Sequence, residues 1–312
     1  QPELLVATAQ MLGELSLTKF NATLAAMVTS HPSEEVRGAM ITALNQLAYD
    51  NMESVIRSGM QDRAESVRAV ALGLLDALEV SPENLPGIVD PIFARGTLAE
   101  QQQVLRVLGQ MPVAASEAVL NGLLDRMIDG KLSAGLSLDL MEAIDAAGSD
   151  KLTARLAPHR SPGNTTEDFK EALYGGDRRQ GWVAFYRNPT GQCIRCHSLN
   201  GQGGEVGPPL TGIGTRLTRE QLLEALIEPG KRLAPGYGMV TLSLKDGTSV
   251  TGILVEETAD ELILKTSEAE PLEIAVGRIE KRTDMPSSMP PMGTLLTRRE
   301  IRDLVEFLSN LN

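Results

Sequence analysis

Cys193-Ile194-Arg195-Cys196-His197 holds the only two cysteines of a 312-residue chain. Three residues of separation put both thiols on about one turn of a helix, and a histidine follows the second directly. C-x-x-C-H is the attachment signature of a c-type heme. Each thiol can form a thioether to one vinyl edge of the porphyrin, and the adjacent imidazole can reach the iron through one ring nitrogen. Cys193 and Cys196 are therefore predicted as covalent anchors and His197 as the proximal ligand. Two other chemistries use the same residue types. A thioredoxin-like thiol pair sits between a buried strand and a helix, whereas here Trp182, Phe185 and Tyr186 precede the motif at helical spacing. A structural zinc site needs four ligands, and the other histidines are His31 and His159 alone.

The rest of the composition bounds where such a cofactor would work. With 42% hydrophobic residues and no apolar run of the ~18 residues a membrane span needs, the chain reads as soluble and globular, with no direct membrane insertion. A net charge of −12 argues against nucleic acid and anionic membranes and for basic or neutral partners. Both cysteines are used by the motif, so no disulfide framework reports on compartment. Attachment of c-type heme operates outside the bacterial cytoplasmic membrane, which predicts a periplasmic or otherwise extracytoplasmic protein. The chain opens at Gln1 without a basic and apolar leader, so a signal peptide has been removed or the sequence is a segment of a longer chain.

The elements that must position the motif lie in residues 161–312. Asp177 can cap a helix over 178–187, in which Gly181 and Phe185 share a face. Thr297-Arg298-Arg299-Glu300 reads as a capping box opening a last helix to about Leu311, with Ile301, Leu304, Phe307 and Leu308 on one stripe. The two helices are predicted to cross, with Gly181 allowing close approach. After the motif, Gly201–Gly204 and Gly207-Pro208-Pro209-Leu210 supply backbone able to lie close to a flat cofactor. Between about 231 and 284 the pattern switches to period-two alternation with an Asp246-Gly247 turn, which predicts a small inserted β-barrel of SH3-like or Sm-like kind. An Sm-like pattern suggests RNA. The segment is rich in glutamate and lacks a basic, aromatic surface, so a cover over the heme is the expectation.

Residues 1–160 read as helix after helix, broken at Ser30-His31-Pro32, Ser81-Pro82 and Ala147-Gly148-Ser149. The segment from Ser33 to Leu44, with Val36-Arg37, returns 31 residues later with Val67-Arg68, and weaker copies without that pair begin near Thr97 and Ser133. An acidic residue before Val-Arg and then an Ala/Leu stripe looks like a HEAT-type α-solenoid of short period. His31 and His159 read as surface or capping residues, and the methionines of this half as core. The fold expected is mainly α: HEAT-like helical repeats over 1–160, then a heme domain over 161–312.

Taken together, C-I-R-C-H, the Gly-Pro-Pro-Leu segment, E-P-G-K-R-L-A-P-G-Y-G (residues 228–238), L-K-D-G-T-S-V-T-G (residues 244–252) and S-S-M-P closely resemble the planctomycete-type heme-binding domain, a cytochrome c with a β insert before the methionine ligand, often following HEAT repeats. The resemblance covers residues 165–312. It implies that the Pro208 carbonyl accepts the N–H of His197, that Leu210 packs on the porphyrin and that Met289, in Ser-Met-Pro, is the distal ligand, with Met292 and Met285 as alternatives. Pro209 stands where relatives commonly carry an acidic residue. Arg216 is a candidate partner for a heme propionate. The function expected is electron transfer by covalent heme c with His/Met ligation and no catalysis of its own, and the resemblance implies a redox partner of sugar-dehydrogenase type. A peroxidase-like heme enzyme with an open distal site, and a heme sensor signalling through the repeats, are the alternatives.

Overall fold

The computed structural model describes residues 1–75, 80–234, 236–268 and 270–312. The chain divides into two compact units, Gln1–Arg160 and Ser161–Asn312. It is mainly helical, and among the described residues no helix is long and apolar enough to cross a membrane.

The first unit contains α1 (Pro2–Glu14), α2 (Asn21–Ser30), α3 (Glu34–Gln46), α4 (Met52–Met60), α5 (Glu65–Leu72), α6 (Leu85–Arg95), α7 (Leu98–Gln110), α8 (Val113–Ile128), α9 (Ser137–Ala147) and α10 (Asp150–Leu156). Helices two apart in sequence pack on one another, α1 on α3 through to α7 on α9, and α2 on α4 through to α8 on α10. A continuous core of aliphatic side chains, including Ile41, Leu44, Ile56, Leu72, Leu105 and Ile144, runs along the unit.

The sequence repeat has a matching contact. Arg37 donates through Nε and Nη2 to Asp62, both at 2.7 Å, and through Nη1 to the carbonyls of His31 and Pro32. Arg68, 31 residues on, donates through Nε and Nη2 to Glu100 and through Nη1 to the carbonyls of Asp62 and Arg63. Each guanidinium therefore fixes the turn before its own helix and a carboxylate further along the chain, a use of its planar fork that lysine does not offer. At Asp62 and Glu100 desolvation pushes upward, but the arginine bonds and a backbone N–H outweigh it and hold both carboxyls below their ordinary range. His31 takes the capping place expected of it, its Nδ1 accepting the amide of Ser33.

In the second unit the Thr165–Asp168 capping box opens a 3-10 segment, Thr166–Ala172. There follow α11 (Arg178–Arg187), α12 (Cys193–Cys196), the short strands β1 (Ser198–Leu199) and β2 (Gln202–Gly203), α13 (Ile213–Arg216) and α14 (Arg219–Ile227). Then come β3 (Gly238–Leu244), β4 (Ser249–Glu257), β5 (Glu261–Lys265), β6 (Leu272–Ala275) and β7 (Ile279–Asp284), and last α15 (Arg298–Ser309). Asp177 caps α11 by accepting the amides of Arg179 and Gln180, and Thr297 with Glu300 forms the box that opens α15.

α11 and α15 cross where Gly181 removes a side chain. A Cβ there would lie 1.9 Å from the Asp303 carbonyl oxygen and 2.5 Å from the Phe307 Cβ. Asp303, buried at the crossing, accepts the Asp177 amide at 2.8 Å, and burial pushes its carboxyl up. Phe185 and Phe307 meet alongside with ring centroids 5.8 Å apart.

β3 to β7 form one antiparallel sheet in the order β6-β5-β4-β3-β7, with a core of its own in Val240, Leu242, Leu244, Leu262, Leu264 and Ile274. The barrel expected from the alternation is corrected here: the sheet is open, with β6 and β7 as its edges. The three-residue 3-10 turn Val276–Arg278 joins β6 to β7, too short a link to cross four strand spacings of a flat sheet, so the sheet must curl to bring its two edges near each other without pairing. There β7 shows Glu280, Lys281, Arg282 and Asp284 exposed, charges that discourage a further strand from pairing.

Candidate heme site

The motif is held by a turn that starts at the end of α11. Asn188 accepts the amides of Thr190 and Gly191 at 2.8 Å and donates through Nδ2 to Glu300 Oε1 at 2.7 Å, so the loop into α12 is tied to the first turn of α15. Gln192 then takes the left-handed conformation (φ 46°) that starts α12. Cys193 and Cys196 occupy the two ends of that single turn. Cys193 is half-buried, and burial pushes its thiol up; Cys196 is exposed. His197 leaves the helix in extended backbone, its amide bonded to the Cys193 carbonyl at 2.9 Å.

Two backbone contacts fix the imidazole. His197 Nδ1 lies 2.8 Å from the Pro208 carbonyl oxygen. A carbonyl can only accept, so Nδ1 carries the proton and Nε2 keeps its lone pair for a metal. Gly207 lies against the ring: a Cβ there would come within 2.5 Å of Cε1 and 3.0 Å of Nε2, and its amide donates to the Cys196 carbonyl. Gly203 and Gly204 serve the motif in the same way. A Cβ on Gly204 would lie 1.9 Å from the Arg195 carbonyl oxygen, and one on Gly203 would lie 2.3 Å from that of His197. These glycines press on the backbone and ring of the motif. Their closeness to C-x-x-C-H in sequence was the signal, but it did not say which surface they meet.

The remaining predicted residues divide. Leu210 donates its amide to the Ser198 carbonyl and packs, with Cys193, Ile194 and Met289, against the second unit's main core. Met289 is half-buried there. Met292 is only 3% exposed, in the 3-10 turn Met292–Thr294, while Met285 is 45% exposed and donates its amide to the Met239 carbonyl, continuing the sheet. Arg216 is exposed and donates to the carbonyls of Pro209 and Thr211, bracing the loop that follows Pro208. The bond between Asn188 and Glu300 joins residues 112 apart, and no local pattern could pair them.

Two thiols on one turn, an imidazole with Nε2 free and the partly buried apolar side chains of Ile194, Leu210 and Met289 fit a covalently held heme, which Cys193, Cys196 and His197 would hold. Among the described residues no three His, Cys, Asp or Glu side chains converge as a metal cluster, so a structural zinc site has no ligand set. No curated protein matches the chain. Residues 184–260, from the second half of α11 through the motif and into the sheet, match the family model for cytochrome c. The chain carries a cytochrome c heme-binding domain, with heme c covalently attached as its cofactor.

Proposed function

We propose that the protein is an electron carrier with His197 and Met289 as axial ligands. The observation that carries this reading is the orientation of His197, whose Nδ1–H is spent on Pro208 and whose Nε2 is left to the metal. When bound, the heme supplies a one-electron ferric/ferrous couple. The Pro208 carbonyl raises the basicity of the imidazole and fixes its plane. A thioether from Met289 favours the ferrous state, which suits a carrier. Of the three methionines, Met289 alone is half-buried against the core on which Cys193 and Leu210 also pack, while Met292 is enclosed in that core. Met289→Ala should abolish the far-red sulfur-to-iron band and open the ferrous protein to carbon monoxide, whereas Met285→Ala and Met292→Ala should keep the band. Strong carbon monoxide binding by the unmutated protein would overturn the carrier reading in favour of an open-site enzyme or a sensor.

The reading extends to a planctomycete-type domain in which the sheet covers the heme, and to an extracytoplasmic location, since that is where c-type heme is attached. It also takes the first unit as a HEAT-like solenoid that tethers an electron-donating dehydrogenase of the sugar-oxidising kind. Second-neighbour helix packing and the repeated arginine contact support the solenoid. A tether raises a partner's effective concentration to about the millimolar range without touching the cofactor. Residues 161–312 expressed alone should then keep the wild-type spectrum but accept electrons more slowly from the dehydrogenase. An altered spectrum would assign the repeats a structural role instead.

A further inference from the structure

The dipeptide Asn-Gly occurs twice in the chain, at Asn121-Gly122 and Asn200-Gly201. It carries a reaction of its own. The amide nitrogen that follows an asparagine can attack the side-chain Cγ once the backbone turns to bring the two together, and glycine, with no Cβ, neither hinders the attack nor resists the rotation. The new N–Cγ bond closes a five-membered succinimide, the Cγ–Nδ2 bond breaks and ammonia leaves. Water then opens the ring at either carbonyl. One opening leaves aspartate, and the other leaves isoaspartate, in which the main chain runs through the former side chain.

The fold treats the two copies differently. Asn121-Gly122 lies inside the 16-residue helix α8, whose ladder holds the Gly122 amide and whose backbone angles keep it away from Cγ. Asn121 Oδ1 also accepts from Arg155 of α10. Asn200-Gly201, by contrast, forms the two-residue turn between β1 and β2, strands of two residues each. Both turn residues are exposed, Asn200 at φ 52° and Gly201 at φ 76°. A Cβ on Gly201 would meet nothing within 4 Å, so the dipeptide has room to rearrange. So short a hairpin opens at a smaller cost than the middle of a long helix.

We propose that Asn200-Gly201 is a self-modifying site, where the asparagine converts without an enzyme to aspartate and isoaspartate while Asn121 stays intact. Its place gives the conversion a consequence. The hairpin follows His197 directly, and its bonds reach the segment that orients the imidazole: the Asn200 amide donates to Thr211 Oγ1 at 2.7 Å, and the Ser198 carbonyl accepts the Leu210 amide at 2.8 Å. Gly203, at the far end of the hairpin, lies against the His197 carbonyl. Isoaspartate adds an atom to the main chain between the Asn200 amide and Gly203, which shifts the register and loosens the loop that carries Pro208. Aspartate adds only a charge.

The test incubates the heme-loaded full chain, beside its Asn200→Gly variant, in warm, mildly alkaline buffer. Peptide mapping by mass spectrometry, with isoaspartate located by an isoaspartyl methyltransferase, should find conversion at Asn200 at least about tenfold faster than at Asn121. In the isoaspartate fraction, separated by ion exchange, the Leu210 amide should exchange about tenfold faster than in the starting protein. Asn200→Asp, measured before incubation, has the charge with an ordinary backbone and should exchange as wild type does. Asn200→Gly, whose new residue suits the positive φ, should show neither the modification nor the loosening after the same incubation. Equal conversion at the two asparagines, or an intact Asn200 under conditions that convert a free peptide of residues 197–204, would overturn the site. Isoaspartate at residue 200 with Leu210 exchange unchanged would overturn its consequence for the heme segment.

Discussion

The two units achieve close packing with different emphasis. In Gln1–Arg160 most of the tight contacts are made by side chains, an aliphatic core with the Arg37–Asp62 and Arg68–Glu100 pairs, and Gly109 against the Ala143 backbone is an exception. In Ser161–Asn312 they are made by missing side chains. Gly176, Gly181 and Gly214 let backbone meet α15, and Gly203, Gly204 and Gly207 let backbone meet the heme motif. Side-chain packing is distributed, so a single change is partly absorbed by neighbours. Backbone-to-backbone contact has no such slack, because a carbonyl cannot change rotamer. The heme unit is therefore organised around a few positions where one methyl group is decisive.

Gly181→Ala is the strongest way to break that contrast. The added carbon would overlap the Asp303 carbonyl, forcing α11 off α15, and should cost more than about 3 kcal/mol. Denaturant unfolding followed by the fluorescence of Trp182, which reports on this unit alone, would measure it. A midpoint equal to wild type would show that the crossing yields easily. In the other unit, Arg37→Ala strands the 10%-exposed Asp62 side chain and leaves the His31 and Pro32 carbonyls without their donor. A loss of about 3 kcal/mol is expected in the helical signal of that unit, with the Trp182 transition unmoved. Movement of both transitions together would erase the distinction between the units.

Asn188→Ala should cost less, about 1 kcal/mol, since it removes hydrogen bonds at a partly exposed turn. Its effect should centre on the motif: faster amide exchange at Thr190 and Gly191, with the helix crossing intact. Equal loosening along all of α15 would mean that the Asn188–Glu300 contact holds the helix and not the loop.

What could be read from the sequence follows the distance over which each feature is encoded. The heme motif, the caps at Asp177 and Thr297, and the Asp246-Gly247 turn all lie within a few residues, and each was readable. Gly181 was readable as a crossing point because Phe185 and the α15 stripe gave both faces periodicity. The open sheet was not, since alternation reports which face is buried and says nothing about whether edges meet. Arg216 donates to carbonyls five and seven residues upstream, contacts that its charge alone did not suggest. The arginine contacts of the first unit were visible only as a repeated Val-Arg, because their carboxylates, Asp62 and Glu100, stand at unequal offsets of 25 and 32 residues.

The smallest expected effect concerns the sheet, which has a core separate from that of the helices around the heme. Asp246 accepts the amide and hydroxyl of Thr248 and a bond from Arg278, and these hold its carboxyl down at about 2, against an ordinary 3.8. Gly247 supplies the positive φ (87°) that the turn requires, and Arg278 stands at the entry to β7. One exposed carboxylate thus joins the β3–β4 turn to an edge strand. A carboxylate with a depressed folded-state value stabilises the fold fully above its unfolded value, and that contribution is lost as pH falls through the folded one. Local stability of the hairpin should therefore decline between about pH 4 and pH 2, seen as loss of amide protection at Leu244 and Thr248. Asp246→Asn keeps an acceptor but removes the charge, so it should lower protection at neutral pH and flatten the acid dependence. The heme spectrum should follow neither change, because Leu244, which leads into this turn, belongs to a core separate from the one that carries Cys193 and Met289. A heme band that shifted in step with hairpin protection would show that the sheet and the heme core are coupled, and the contrast drawn between backbone-packed and side-chain-packed regions would then have to include the sheet.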